Sequence, residues 1–447
     1  MSATSHPGNN KFKSHAPTEL MDQIVSRENM TAAYVRVVSN GGSSGVDGLR
    51  TVDLKAYLQS NWSGIKESLL RGDYQPQGVK KVRIPKPKGG ERILGIPTVV
   101  DRLIQQGLHQ VLSPMYDPAF SEWSYGFRPN RSAQQAVQKA KTHIQKGKRW
   151  VVDMDLRKFF DEVNHQRLLS KLSKRIKDRR VIHLIERYLR AGMLEKGVEE
   201  KRLKGTPQGS PLSPLLSNIV LDELDKELEK RGHYFVRYAD DFQIYVGSRR
   251  SAERVMKSVG DFIERKLKLK VNKAKSAIDR PWNRSLLGYS FTTHFLTKLK
   301  VSKESVKRFK KTVKAQMRRG RGRNTAKFIK KDLNPLLRGW MIYFSGSDVK
   351  GFTVELDSWV RRHLRKVKWH QWKRSWTRKE ALMKRGLSEE NAVQSAFNQR
   401  GTWWNAGSRH MNFAYPAKYF EQRGLVSLQK THSRYHLLIN SRNRRDT

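Results

Sequence analysis

Two short apolar runs near the middle of the chain alternate with a period of two residues. This period is typical of β-strands, so the pattern predicts two strands joined by a tight hairpin turn. The turn falls on Tyr238-Ala239-Asp240-Asp241. The alternating positions are Tyr234, Val236 and Tyr238 before the turn and Phe242, Ile244 and Val246 after it.

A third strand is predicted over residues 149–156, where apolar residues are followed by acids. Asp153 and Asp155 are two positions apart and therefore lie on one face of that strand. A carboxylate in an otherwise apolar strand is costly to bury unless a partner compensates it. The partner is either a metal ion or a nearby Lys or Arg side chain, and the pattern alone leaves both possibilities open.

Apolar residues spaced three and four positions apart predict amphipathic helices in much of the remaining chain. Beyond about residue 300 the composition becomes rich in Lys, Arg and Trp. Pro335 interrupts one stripe there and predicts a kink, because proline lacks an amide donor. The stripes are Leu103, Ile104, Leu108, Val111 and Leu112; Leu221, Leu224 and Leu228; Ile329, Leu333, Leu336, Trp340 and Tyr343; and Leu356, Val360, Leu364 and Val367.

The last of these stripes carries cations at its remaining positions. Such a helix can pack on a core while it follows a phosphate backbone, although a solvated basic face has the same pattern. A second cationic segment, rich in Gly and Arg, is expected to be a flexible loop between helices. The candidate nucleic-acid-binding residues are Arg361, Arg362, Arg365 and Lys366 of the helix and Arg318, Arg319, Arg321 and Arg323 of the loop.

Composition divides the chain into five predicted segments. They are a disordered N-terminus at 1–20, an N-terminal extension at 21–80, a mixed strand and helix segment at 81–295, a helical segment at 296–376 and a small basic segment at 377–447. In the last segment Trp403, Trp404 and Tyr415 lie among basic residues. They either stack on unpaired bases or form the core of a small domain, and we favour the core.

The formal net charge of +49 over 447 residues points to a polyanionic partner. Binding to nucleic acid would then depend strongly on salt. No apolar run approaches the roughly 20 residues of a membrane-spanning helix, and the N-terminus lacks a signal-peptide core. We therefore expect a cytoplasmic protein with no membrane partner. The absence of cysteine excludes disulfides and Cys-ligated zinc.

The adjacent acids Asp240 and Asp241 carry the candidate chemistry. Neighbouring carboxylates repel one another unless a cation lies between them, and Mg²⁺ takes oxygen ligands and bridges phosphates. A site with two metal ions for phosphoryl transfer needs a further carboxylate, which the strand at 149–156 can supply. The alternative is an ordinary Asp-Asp turn exposed to water.

Several more blocks of sequence occur in an order typical of one enzyme family. They are Gly45-Val46-Asp47-Gly48, 84–92, 94–98, Asp101-Arg102, Gln105, Ser124-Tyr125-Gly126-Phe127-Arg128-Pro129, the strand with Asp155, 205–214, 238–241, 269–276, 286–289 and 334–340. On these blocks the chain resembles the reverse transcriptase/maturases encoded by bacterial group II introns, especially the compact class C. Each block alone is a modest signal, whereas their joint order is specific.

The resemblance implies that Asp155, Asp240 and Asp241 are catalytic and hold two Mg²⁺ ions, with Mn²⁺ as an alternative. It favours Asp155 over Asp153, because the family's catalytic Asp precedes an aromatic residue by five positions, here Phe160. Phe160 would clash with a 2′-OH and so select dNTPs. An ordinary core position is the other interpretation of Phe160.

Four further residues are implied in binding the dNTP and primer. Arg92 can bind phosphate oxygens bidentately while Lys86 acts as a point charge, although either is also compatible with a solvated surface position. Gln208 resembles the residue that lines the nascent base pair. Lys275 resembles a basic residue near the primer terminus.

The implied fold is α+β: a right-hand polymerase with fingers, a palm with a mixed sheet, a helical thumb or X domain and a small DNA-binding domain. The implied function is to copy RNA from a DNA primer, to bind its group II intron RNA as a splicing maturase, and to copy the intron into target DNA at the bacterial nucleoid. No H-N-H endonuclease domain is expected. The alternatives are a non-catalytic RNA-binding splicing factor and an intron-less reverse transcriptase in host repair or defence.

Overall fold

The computed structural model describes residues 19–86, 89–195, 198–200 and 204–443. The predicted disordered segment 1–20 therefore lies almost wholly outside the described residues. The chain forms two compact units. Unit 1 contains residues up to 132, 152–244 and 253–277, and unit 2 contains 133–151, 245–252 and the residues from 278 onward. The five predicted segments remain predictions.

Strands and helices alternate in the N-terminal two thirds of the described chain, and helices follow. The strands are β1 Val79–Pro85, β2 Glu91–Ile96, β3 Trp150–Met154, β4 Met193–Glu195, β5 Val198–Glu200, β6 Tyr234–Tyr238, β7 Asp241–Val246, β8 Ala277–Asp279, β9 Tyr289–Phe291 and β10 Leu299–Val301. The helices are α1 Leu20–Ile24, α2 Arg27–Asn40, α3 Leu54–Arg71, α4 Val99–Tyr116, α5 Ala133–Gln145, α6 Phe159–Glu162, α7 His165–Arg175, α8 Arg179–Arg190, α9 Ser213–Lys230, α10 Arg249–Arg265, α11 Lys303–Arg319, α12 Thr325–Phe328, α13 Asn334–Tyr343, α14 Gly351–Gln371, α15 Ser375–Met383, α16 Glu389–Ala396, α17 Thr402–Gly407, α18 Arg409–Ala414, α19 Ala417–Gln422 and α20 Leu428–Asn443.

The predicted hairpin is confirmed as β6 and β7, with Ala239 and Asp240 in the turn. These strands belong to a four-stranded sheet of order β6-β7-β3-β8, so the predicted strand at 149–156 is also confirmed, as β3. A second sheet of order β2-β1-β4-β5 combines antiparallel and parallel pairs. Phe235, Val236 and Arg237 are all fully buried, which means that β6 is covered on both faces.

Most predicted helical stripes lie in the core of their own unit, but in the stripe at 329–343 only Ile329 and Leu333 are buried, and Tyr343 is exposed. In α4, Leu103, Ile104, Leu108 and Leu112 are buried, and α9 buries Leu221, Leu224 and Leu228. The helix with Pro335 is interrupted as expected. It changes from α12 to a π-helix at Ile329–Leu333 and then to α13, with Pro335 in the first turn of α13. The wider π turn accommodates the missing proline amide.

One predicted surface cation of α14 is buried instead. Leu356, Val360, Leu364 and Val367 are buried as predicted, but only 7% of Arg365 is exposed as well. Its Nε donates to the carbonyl of Tyr415 at 2.9 Å. Arg365 is therefore not on the solvent face of α14, because the C-terminal helices cover it.

The aromatic residues of the last segment divide between core and surface. Tyr415 is buried, as the core interpretation requires, whereas Trp404 is 49% exposed and Trp403 37% exposed. The guanidinium of Arg362 lies over the Trp403 ring at 4.1 Å. The core interpretation is thus right for Tyr415 and wrong for Trp404. Across the described residues, no helix combines the length and apolarity needed to cross a bilayer.

Candidate active site

The hairpin turn that carries Asp240 has a constrained backbone. Ala239 adopts φ +58°, a left-handed conformation that residues with a Cβ rarely take. Gly126 lies directly against this turn, since a Cβ there would come within 2.3 Å of the Ala239 amide nitrogen. The amide of Tyr125 donates to the Arg237 carbonyl at 2.9 Å. The segment around residue 126 therefore supports the turn from one side.

A buried ion pair supports the same turn from within. Arg237 and Asp225 both have fully buried side chains, and the guanidinium donates from Nε and Nη2 to the two carboxylate oxygens at 2.7 and 2.5 Å. Its Nη1 donates at 3.0 Å to both Asn218 Oδ1 and the Ala239 carbonyl. Asn218 in turn donates to the Gly126 carbonyl at 2.9 Å. This support network fixes the backbone immediately before Asp240.

Asp155 follows β3 and is held by the segment at 269–276. Asn272 Nδ2 donates to Asp155 Oδ1 at 3.1 Å, and Lys275 Nζ lies 3.3 Å from Oδ2. The backbone amide of Asp155 donates to Ser276 Oγ at 3.1 Å. The structure thus brings the predicted residue Lys275 into contact with the predicted residue Asp155.

The acids act on one another electrostatically. Partial burial, followed by the charges of Asp240, Asp155 and Asp153, raises the pKa of Asp241 to about 6, against the opposing effect of Lys275. Burial and the charge of Asp155 also raise the pKa of Asp240. We refer to Asp155, Asp240 and Asp241 as the carboxylate cluster.

The carboxylate cluster suits a hard divalent cation by the chemistry of its donors. Its oxygens are the ligands that Mg²⁺ prefers, and a cation would relieve their mutual repulsion. Among the described residues, no three His, Cys, Asp or Glu side chains lie close enough together to hold a metal ion by themselves. Mg²⁺ in proteins usually keeps several water ligands and is bound through one or two carboxylates together with substrate phosphates, so such a site does not require a full set of protein ligands.

Lys86 and Arg92 lie on the β1–β2 hairpin. Arg92 pairs with Ile84 in the ladder, and the Lys86 amide continues the ladder by donating to the Gly90 carbonyl at 2.9 Å. Because Lys86 is two residues from Ile84, Lys86 and Arg92 share one face of the hairpin. Both are exposed, and the charge of Arg92 lowers the pKa of Asp240.

Phe160 and Gln208 are linked through the backbone. Phe159 takes the buried core position, whereas Phe160 beside it is only half-buried. The amide of Thr206 donates to the Phe160 carbonyl at 2.6 Å, and the Gly95 amide donates to the Gln208 carbonyl at 2.9 Å. The loop containing Gln208 therefore joins the start of α6 to β2.

Unit 2 contains a cluster of positively charged side chains. The side chains of Arg318, Arg319, Arg321 and Arg323 are exposed, while Lys366 of α14 is half-buried. Burial, followed by the charges of Arg321, Arg318 and Lys314, lowers the pKa of Lys366. Arg323 pairs with Asp332 at 3.1 Å. We refer to Arg318, Arg321, Lys314 and Lys366 as the cation cluster.

The residues of the support network were not predicted as site residues. Asp225 falls on the apolar face of α9, next to Leu224 and three residues before Leu228. Arg237 lies within an apolar strand. An acid in a buried helical stripe and a base in a buried strand are the signal that could have predicted the ion pair, since such charges require partners.

Two known protein families match separate ranges of this chain. A reverse transcriptase (RNA-dependent DNA polymerase) family matches residues 84–291, and the group II intron maturase-specific domain matches residues 306–386. Protein YkfC of Escherichia coli (strain K12) is 32% identical over 286 residues, which are 55% of this chain and 75% of YkfC. Group II intron-encoded protein LtrA of Lactococcus lactis subsp. cremoris is 38% identical over 210 residues, which are 47% of this chain and 35% of LtrA.

A solved structure, the partial Cas6-RT-Cas1–Cas2 complex, is 27% identical and matches with a TM-score of 0.37 over 55% of this chain and 42% of that chain. The chain spans three quarters of YkfC but only about a third of LtrA. The reverse transcriptase match includes every predicted catalytic and dNTP-binding residue, and the maturase match starts within α11. The mixed sheets and the helical region agree with a right-hand polymerase followed by a helical domain. The chain belongs to the family of bacterial group II intron-encoded reverse transcriptase/maturases.

Proposed function

We propose that this protein is an RNA-directed DNA polymerase whose carboxylate cluster holds two divalent metal ions, Mg²⁺ or Mn²⁺. The observation that carries the proposal is the position of Asp240 and Asp241 at the β6–β7 turn, with β7 next to β3 in the same sheet and Asp155 directly after β3. Like charges held together on a supported turn are unfavourable unless a cation binds them. Perturbed carboxylates of this kind are typical of catalytic sites.

The reaction joins a primer 3′-OH to the α-phosphate of a dNTP and releases pyrophosphate. When bound, the two ions would activate the hydroxyl and neutralise the charge of the leaving group. Lys86 and Arg92 share one face of a hairpin and would bind the triphosphate, Arg92 through paired hydrogen bonds. Lys275, in contact with Asp155, would meet the primer terminus.

Phe160 and Gln208 would select the incoming nucleotide. Because Phe159 fills the neighbouring core position, Phe160 is left half-buried and able to meet a sugar. A 2′-OH at that place would clash with its ring. Gln208, whose backbone is tied to β2, would line the nascent base pair.

The second activity that we propose is the maturase function of unit 2. The cation cluster would bind the phosphates of folded group II intron RNA, which proteins recognise mainly through shape and backbone contacts. The protein would stabilise the RNA for splicing and then copy it at target DNA in the bacterial nucleoid. The exposed side chains of Arg318 and Arg321, close enough to Lys366 to act on its charge, support this partner, since a polyanion relieves crowding among cations.

Primer extension on an RNA template with Mg²⁺ and dNTPs tests the polymerase. The parent should yield full-length cDNA, and the Asp240→Ala, Asp241→Ala double variant should yield none while still binding RNA. Asp153→Asn is the matched control, because it removes a nearby acid that we do not expect to be a ligand; it should retain activity. No product from the parent, despite tight RNA binding, would favour a non-catalytic splicing factor.

A further inference from the structure

A large aromatic side chain stands exposed beside the catalytic turn. Phe127 is 51% exposed, and its ring centre lies 6.3 Å from that of Tyr238, with 44° between the planes. Tyr238 precedes Asp240 by two residues. The two rings therefore form an aromatic surface next to the carboxylate cluster.

The backbone of Phe127 is also strained. Its φ is +57°, in the left-handed region where a bulky side chain is an outlier. Glycine or asparagine would take this conformation more readily. Strained residues with exposed side chains are typical of functional sites, where the surrounding structure imposes the conformation.

Neighbours on both sides impose that conformation. Before Phe127, the Gly126 carbonyl accepts from Asn218, and Gly126 packs against Ala239. After it, Arg128 is buried, and its guanidinium donates to the Asp117 carboxylate at 2.7 Å. The same guanidinium also donates to the backbone carbonyls of Ser121, Ser124 and Asp117 at 2.5, 2.9 and 2.9 Å.

We propose that Phe127, together with Tyr238, binds the sugar and base face of the primer strand near its 3′ end. The proposal rests on the polymerase function, because it is the carboxylate cluster that would bring the primer 3′-OH next to Tyr238. An aromatic face can stack on any base and can therefore contact a primer of any sequence. The anchored segment on either side of Phe127 presents the ring at a fixed place.

Substitutions at Phe127 separate primer binding from folding. Phe127→Ala should raise the KM for primer–template about 5- to 150-fold, the range of a single base–aromatic contact. The kcat and the KM for dNTP should stay near those of the parent. Phe127→Tyr, which keeps the ring, should retain most of the affinity.

Phe127→Gly gives the sharpest distinction. Glycine relieves the strained φ, so the thermal midpoint should rise or stay constant while primer affinity falls as in Phe127→Ala. A purely structural Phe127 would give the opposite result, a lower midpoint with unchanged primer KM, and this would overturn the proposal.

The contacted nucleotide can be located with abasic substitutions along the primer and the template in parent and Phe127→Ala. At the contacted position, the losses of affinity caused by the abasic substitution and by Phe127→Ala should not add, because each removes the same interaction. Non-additivity only on the template strand would refute a primer contact. If the parent extends no primer, the polymerase proposal fails on its own, and equilibrium binding of the same duplexes still tests the contact.

Discussion

The carboxylate cluster of unit 1 and the cation cluster of unit 2 carry opposite charges, but each brings side chains of like charge close together. In the first, burial and neighbouring acids raise the pKa of Asp241 to about 6. In the second, burial and neighbouring arginines lower the pKa of Lys366. In both clusters, burial first and neighbouring like charges second disfavour the charged form of the group, which costs folding free energy.

The two clusters differ in what holds them. The carboxylate cluster adjoins the buried support network of Arg237, Asp225 and Asn218. The cation cluster consists of long, mostly exposed side chains on α11, α14 and the loop between helices. A fixed set of a few acids suits small ions at defined distances, whereas exposed cations spread over two helices and a loop suit an extended polyanion. We therefore infer that crowded like charges mark both candidate sites, and that the support around each cluster is related to the partner proposed for it.

The largest effect is expected from breaking the support network. Arg237→Met should lower the free energy of unfolding by about 3–5 kcal/mol, because Asp225 is left as an uncompensated buried charge. Arg319→Gln, an exposed arginine of unit 2, is the control and should change stability by less than about 0.5 kcal/mol. Urea unfolding measures both.

Adding Asp225→Leu to Arg237→Met separates the effect of the support network on protein stability from its effect on the position of the turn that carries Asp240. The double variant should recover much of the stability, since both charges are gone. Its primer extension should stay slow, because the Ala239 carbonyl before Asp240 has lost its hydrogen bond from Arg237. Single-turnover extension at the parental rate would show that the support network does not position the turn.

A smaller effect is expected for RNA binding by unit 2. Arg318→Gln combined with Arg321→Gln should weaken RNA binding and lower the slope of log K against log salt by about 2, roughly one for each phosphate that the variant no longer neutralises. Asp240→Asn is the control and should leave that slope unchanged. Titrations of intron RNA at several salt concentrations check this, and an unaltered slope in the arginine variant would exclude these residues from the interface.

Asp241→Asn should stabilise the protein when divalent metal is absent. The native state holds the Asp241 proton more tightly than the unfolded state, so parental stability due to this group falls as pH rises from about 4 through about 6. The variant should therefore equal the parent near pH 4 and exceed it by about 1 kcal/mol at pH 8, after allowance for solvent screening of this exposed carboxylate. Thermal unfolding in EDTA measures the difference, and an equal gain at both pH values would contradict the assignment.

The smallest effect is expected from the corresponding change in the cation cluster. Because its charged form is disfavoured in the folded state, Lys366→Gln should stabilise the RNA-free protein by no more than about 0.5 kcal/mol near neutral pH. The same variant should bind RNA more weakly than the parent. Thermal unfolding without RNA measures the expected gain in stability, and unfolding with RNA measures the expected loss of binding. Destabilisation of the variant without RNA would show that Lys366 has a structural role instead.

Local sequence pattern predicted much of the fold and the composition of the candidate site. The alternation on both sides of Asp240 predicted β6 and β7, and the apolar stripes predicted the buried faces of α4, α9 and α14. Pro335 predicted the interruption before α13. These features follow from backbone geometry and side-chain period, which are properties of neighbouring residues. The choice of Asp155 came from resemblance to a family and remains a prediction.

Only the tertiary structure decided which charges are buried and which face a partner. Arg362 and Arg365 occupy equivalent cationic positions of one helical stripe in the sequence, yet Arg362 covers Trp403 and Arg365 is buried and donates to a carbonyl. Arg237, within an apolar strand, is in a buried ion pair. The strained, exposed position of Phe127 likewise depends on Asn218 and on Gly126 packed against Ala239. The sequence by itself determined the elements and the inventory of charges, because these depend on local pattern. The partner of each charge depends on contacts between residues far apart in the chain, and those contacts exist only once the elements have packed.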